Sequence, residues 1–138
     1  MGKIAFELTN ELTELDTLCQ RVTQFCQTAG IPEKEQFQIN LALDELFTNI
    51  ISHGFPDDRE HRVAFTVELR DAEVRLTIED DGVPFNPLDL PAPDLKCALK
   101  EREVGGLGLT IIKALMDRIA YRRKGGRNVT TMTKRLGA

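Results

Sequence analysis

Within the stretch LALDELFTNIISHGF, Leu41 to Phe55, three polar groups recur four residues apart: Glu45, Asn49 and His53. At about 100° of rotation per residue they share one side of a helix, while Leu43, Phe47 and Ile50 form an apolar stripe on another. Such spacing also suits a solvated stripe. Here, however, the helix is apolar on more than one side and the polar stripe carries a single charge. Glu45 and Asn49 would offer a carboxylate and an amide oxygen, one turn apart, to a single small object. Mg²⁺ suits that offer, because it prefers six oxygens, keeps several waters and takes one or two protein ligands beside substrate phosphates. A carboxylate so placed could also orient or deprotonate an attacking water or hydroxyl.

Two further pieces bear chemistry. In IEDDGVPF, Ile78 to Phe85, a strand ends in Asp80 and Asp81 before Gly82. Asp-Gly is a common turn dipeptide, but a buried carboxylate there could accept hydrogen bonds from an exocyclic amine such as that of adenine. In VGGLGLTIIKAL the glycines at 105, 106 and 108 lead into a helix, where close-approaching backbone amides and the helix N-terminus together favour phosphate. The pattern is neither the lysine-bearing phosphate loop nor the dinucleotide fingerprint.

The elements that must position these groups follow from periodicity. KIAFEL, residues 3–8, alternates as a strand, and a first helix is expected from about Thr9 to Ala29 on Leu12, Leu15, Leu18 or Cys19, Val22 and Phe25 or Cys26. Gly30 and Pro32 break it, and a second helix carries the opening stretch to His53–Gly54. HRVAFTVEL and EVRLTIEDD, separated by RDA, read as an antiparallel hairpin. From Gly82 to Val104 a long loop follows, with one short helix around Leu95 to Lys100. A glycine-led helix and two strands joined by KGGR close the chain. This order predicts an α+β two-layer sandwich whose mostly antiparallel, mixed sheet carries helices on one face.

Composition sets the outer limits. With 138 residues, 41% hydrophobic and 29% charged, the chain reads as one domain, 1–138, able to fold without staples. A net charge of −4 disfavours nonspecific binding to nucleic acid or anionic membrane, although YRRKGGR could form a local basic patch. Three cysteines without a CxxC pair fit a reduced compartment, and Cys19 and Cys26, seven apart, could both face the core of one helix. The start has neither a signal peptide nor a spanning segment, so a cytoplasmic location is expected.

Taken in order, DELFTN, DDGVPF and GGLGL resemble the N, G1 and G2 boxes of the GHKL ATPase superfamily, whose nucleotide site is built on the Bergerat fold. LDELFTNIISHGF and GGLGLTIIKALMDRIAYRR look most like the bacterial anti-sigma factor serine/threonine kinases. The resemblance implies ATP or ADP and Mg²⁺ as cofactors. It makes Glu45 the general base and Asn49 the Mg²⁺ ligand. Asp80 becomes the reader of the adenine amino group, with Gly82 allowing the turn beside it. Gly105, Gly106, Leu107 and Gly108 then shape the phosphate loop, residues 86–104 form a lid, and Lys100 and Arg102 are candidates for neutralising the γ-phosphate.

His53 matches a frequent histidine with no catalytic act assigned, a structural hydrogen bond at the helix end being the alternative. Where the superfamily usually shows a Gly-Thr pair on a late strand, this chain has Arg127-Asn128; Asn128 could still hydrogen-bond near adenine. No phosphorylatable histidine box precedes the domain and no transducer follows it, which disfavours a complete sensor kinase, topoisomerase or chaperone. The implied partners are a STAS-domain anti-sigma antagonist and a sigma factor, without direct nucleic-acid or membrane contact, and a homodimer is favoured. The alternative is a nucleotide-gated binding module that controls a partner without phosphorylating it.

Overall fold

Alternation in the first strand, β1 (Gly2–Thr9), turns Ile4, Phe6 and Leu8 toward one side and leaves Lys3, Ala5 and Glu7 exposed. The chain, described here from a computed structural model covering residues 2–57, 59–86 and 108–137, then makes a 3-10 turn at Leu12–Glu14 before α1 (Leu15–Ala29). The helix therefore starts later than its apolar spacing suggested. Thr9 is still paired in the sheet, opposite Arg62, and its N–H donates to the Glu14 carboxylate at 3.2 Å. α1 buries Leu18, Val22, Phe25 and Cys26.

Cys19 is exposed, contrary to the expectation that both cysteines face the core. Leu18, the residue before Cys19, is fully buried, so the covered stripe passes beside Cys19; Cys26 is enclosed where the chain reverses at Gly30 and Ile31 N–H donates to Cys26 O at 2.9 Å. Burial accordingly pushes the Cys26 thiol up to about 11.

α2 (Glu33–Gly54) follows extended Pro32 and carries Glu33 and Glu35 in its first turn, where the helix N-terminus favours negative charge. The two hairpins are β2 (Arg62–Arg70) with β3 (Glu73–Asp80), and β4 (Arg118–Lys124) with β5 (Arg127–Arg135). Each turns on two residues with positive φ, Asp71–Ala72 in one and Gly125–Gly126 in the other, the geometry that matches strand twist in a two-residue loop. Strand order is β1-β2-β3-β5-β4, and among the described residues every pairing is antiparallel, with no mixed component. Between the hairpins α3 (Gly108–Leu115) packs against α2 and buries Ile112.

The core lies between the helices and one sheet face. Phe47 of α2 meets Phe65 of β2 edge-on at 5.2 Å, and Phe65 stacks on Phe6 at 5.4 Å. Leu76 and Ile78 from β3 and Met132 from β5 complete the inner face. Among the described residues no helix is long and apolar enough to cross a membrane.

Candidate functional site

The alternation that buries Val74, Leu76 and Ile78 places the next inward position of β3 on a carboxylate: Asp80 is 2% exposed. A buried carboxylate needs hydrogen-bond donors. Its Oδ1 accepts from Gly82 N–H and from Asn128 Nδ2, each at 2.9 Å. Both bonds fall on Oδ1.

Asn128 stands directly opposite Asp80 in the β3–β5 register and knots the turn together. Its Nδ2 also donates to Val83 O at 2.8 Å, and its Oδ1 accepts from Phe85 N–H at 3.2 Å, Arg123 Nη1 at 3.1 Å and the Tyr121 hydroxyl. Arg123 donates again to Gly82 O at 2.7 Å.

This turn abuts the end of α2. Val83 N–H donates to Gly54 O at 2.9 Å, and a Cβ at position 82 would lie 2.3 Å from Gly54 O and 2.9 Å from Asp80 Oδ1. Only glycine permits that approach. The ring of exposed His53, at the last turn of α2, stacks on Phe85 at 5.3 Å; the structure gives it a stacking partner where a hydrogen bond had been the alternative.

One turn back on α2, Asn49 is fully buried, and neither its Oδ1 nor its Nδ2 has a hydrogen-bond partner among the described residues. An unpaired buried amide costs about 1–3 kcal/mol, and a cation or a phosphate-bound water would relieve it. Glu45, a further turn back, is partly exposed. The polar stripe is thus graded: partly exposed carboxylate, buried amide, exposed imidazole.

Four groups around these were missed. Asp44 carries a buried, unpartnered Oδ1, and burial first, then Glu45 and Asp16, push its carboxyl up to about 6. His61, before β2, lies between Asp57 (Nε2 to Oδ1, 2.7 Å) and Asp81 (Nδ1 to Oδ1, 3.0 Å) and stacks on Phe55 at 4.5 Å. Its hydrogen bond to Asp57 raises its pKa most; burial, the next-largest effect, lowers it, and the bond to Asp81 raises it further. Tyr121 and Arg123 were readable in principle: a two-glycine turn pairs Arg123 with Asn128 and puts both, with Tyr121, on one face.

Gly105, Gly106, Leu107, Lys100 and Arg102 lie outside the described residues, as does the short helix expected around Leu95 to Lys100; of the expected lid only Asn86 is described, and Gly108 opens α3. Among the described residues no three His, Cys, Asp or Glu side chains gather as a metal cage. A divalent cation here would rely on Asn49 with water and a ligand's own oxygens, the habit of Mg²⁺.

Residues 8–134 match the model of a histidine kinase-like ATPase domain. The serine/threonine-protein kinase BtrW of Bordetella bronchiseptica is 32% identical over 98 residues, 71% of this chain and 69% of that protein. The anti-sigma F factor of Oceanobacillus iheyensis is 34% identical over 85 residues, 62% of this chain and 58% of that factor. Among solved structures, the RsbU and RsbW domains of Rv1364c from Mycobacterium tuberculosis superpose with a TM-score of 0.69 at 19% identity, over 99% of this chain and 33% of that one. The five-stranded sheet with its helical layer is thus a Bergerat-type fold.

Proposed function

The chain belongs to the histidine kinase-like ATPase family, and from that premise we propose that it is a Mg²⁺-dependent serine/threonine protein kinase that regulates a sigma factor and phosphorylates a STAS-type antagonist. The observation that carries this reading is Asn49, a fully buried amide with both polar atoms unpartnered, placed one turn from Glu45 on the helix whose end abuts Asp80. The names of the similar proteins, a serine/threonine kinase and an anti-sigma factor, support the choice of substrate and partner class.

Asp80 accepts the adenine amino group on Oδ2 while Gly82 and Asn128 hold Oδ1. Asn49 would hold Mg²⁺ through Oδ1, and the ion would supply positive charge to offset that developing on the phosphates. Glu45 takes the proton of the attacking serine or threonine hydroxyl; that oxygen bonds to the γ-phosphorus as the bond to the β-phosphate oxygen breaks, and ADP departs. Gly105, Gly106, Leu107, Lys100 and Arg102 are assigned to the phosphates by sequence alone.

Glu45→Gln keeps shape and removes the base. It should abolish phosphate transfer to the antagonist while leaving ATP affinity intact. An unchanged transfer rate would sink the role of Glu45. ATP-dependent partner binding with no phosphorylated product in the unaltered protein would favour the nucleotide-gated module.

A further inference from the structure

The sheet face turned away from the helices carries the positive charge of a negatively charged protein. α1 and α2 hold Asp16, Glu33, Glu35, Asp44 and Glu45 against Arg21 and Lys34, whereas residues 118–135 contain seven Arg or Lys and no Asp or Glu. Register assigns these charges to faces. Tyr121, Arg123 and Asn128 point to the helical side, and Arg118, Ala120 and Arg122 point outward. Arg75, Thr133 and Arg118 lie abreast in one outer row, Thr77, Thr131 and Ala120 in the next, and Glu79, Val129 and Arg122 in the third.

These rows enclose a trough. Two recesses of about 530 and about 350 Å³ join through Arg75, Ala120 and Thr131, with short side chains on the floor. Same-face rows are about 7 Å apart, so the flanking rows stand about 14 Å from each other. Ion pairing has not consumed the arginines. Among the described residues Arg127 reaches Glu79 at 3.7 Å and Arg62 reaches Glu7 at 3.9 Å, but Arg75, Arg118, Arg122 and Arg135 pair with no carboxylate. Two carboxylates border the larger recess: Asp117, at one end, already accepts the Arg135 backbone N–H at 2.6 Å, and Glu73 stands opposite Arg135 in the β3–β5 register.

We propose that this trough is a docking surface for an acidic segment of a partner protein, whose carboxylates pair with Arg75, Arg118 and Arg122. Planar guanidinium groups recognise carboxylates bidentately, and the Thr77–Thr131–Ala120 floor admits a backbone between them. Nucleic acid fits less well. The net charge of −4 opposes a long polyanion, and the one aromatic residue bordering the trough, Tyr121 at the smaller recess, commits its hydroxyl to Asn128, so no run of rings is offered for successive bases to stack upon. The assignment is independent of the nucleotide reading, because the trough lies on the opposite face of the β4–β5 pair.

The test is a titration of the ¹⁵N-labelled full chain with a ten-residue oligoglutamate at physiological ionic strength, followed by amide chemical shifts. Saturable shifts should centre on Thr77, Ala120, Thr131 and Thr133. The exposed-site double variant Arg118→Ser/Arg122→Ser should lose at least about tenfold in affinity, while Lys34→Ser/Lys113→Ser on the helical side binds as before. Absence of binding, shifts centred elsewhere, or an equal loss in both double variants would overturn the proposal. So would tighter binding of a ten-nucleotide oligothymidylate, which would make the face a nucleic-acid surface. The mapping on the unaltered protein decides the location even if a variant folds poorly.

Discussion

Gly82→Ala tests the joint on which the site depends. The new methyl carbon would sit 2.3 Å from Gly54 O and 3.0 Å from Gly54 C, whereas an ordinary carbon-to-oxygen contact is about 3.3 Å or more. The turn must withdraw by about 1 Å, and both neighbours are backbone at a helix end, so neither yields as a side-chain tip would. Withdrawal breaks the 2.9 Å bond from Val83 N–H to Gly54 O and disturbs that from Gly82 N–H to Asp80 Oδ1. One lost buried hydrogen bond and the overpacking together cost about 2–5 kcal/mol. Gly54→Ala is the internal control: its Cβ would meet Ile50 Cγ2 at 3.8 Å and Asp80 Oδ1 at 4.0 Å, ordinary contacts. Being helical, that position should be unchanged or gain up to about 1 kcal/mol. Urea unfolding monitored by circular dichroism reads both variants, and ATP titration reads the site. Equal stability of the two alanine variants, or Gly82→Ala within about 0.5 kcal/mol of the parent, would refute the close-approach argument.

Three other outcomes are expected. Asn49→Leu replaces an unpartnered buried amide with an apolar group, so the ligand-free protein should melt higher, by about 1–3 kcal/mol of stability, while Mg²⁺-dependent ATP binding is lost; a scanning calorimeter and an ATP titration check the two halves. Asp44 is pushed up to about 6 from 3.8, so the folded state holds its proton longer than the unfolded state and stability falls as pH rises across that window. Asp44→Asn should remove that slope in pH-dependent urea unfolding and be more stable near neutrality by about 1–2 kcal/mol. The raised His61 contributes stability that is full below its ordinary 6.5 and is lost as pH climbs through the folded value. His61→Ala should flatten unfolding curves on that alkaline side, and an unchanged slope would show that Asp57 and Asp81 do not hold the ring.

How much of this was legible depends on range. Glu45, Asn49 and His53 sit one turn apart on a single helix, so sequence spacing fixed their common side; that Asn49 would be buried without a partner and His53 exposed is a matter of which elements cover α2. Asp80 was readable as the end of an alternating strand. Its two Oδ1 donors were not, because Asn128 is 48 residues away in the chain. Periodicity placed α1 well at its C-terminal end but too early at its start, where Thr9 prefers a sheet partner. The same rule misjudged Cys19, since spacing alone does not say whether Leu18 or Cys19 falls on the covered stripe, and Leu18 does. Asp44 and His61 escaped notice because what shifts them is tertiary placement: burial first at Asp44, and at His61 a loop that brings Asp57 within hydrogen-bond reach of the ring.

The proposed function stands or falls with a metal-dependent nucleotide site built on Asn49. That site is tested most directly by titrating ATP into the purified chain in a calorimeter, with and without Mg²⁺, beside an Asn49→Ala variant. Binding should be saturable and should weaken at least about tenfold when either the metal or the amide is removed. Absence of ATP binding in every condition, or binding indifferent to both metal and variant, would contradict the proposed function.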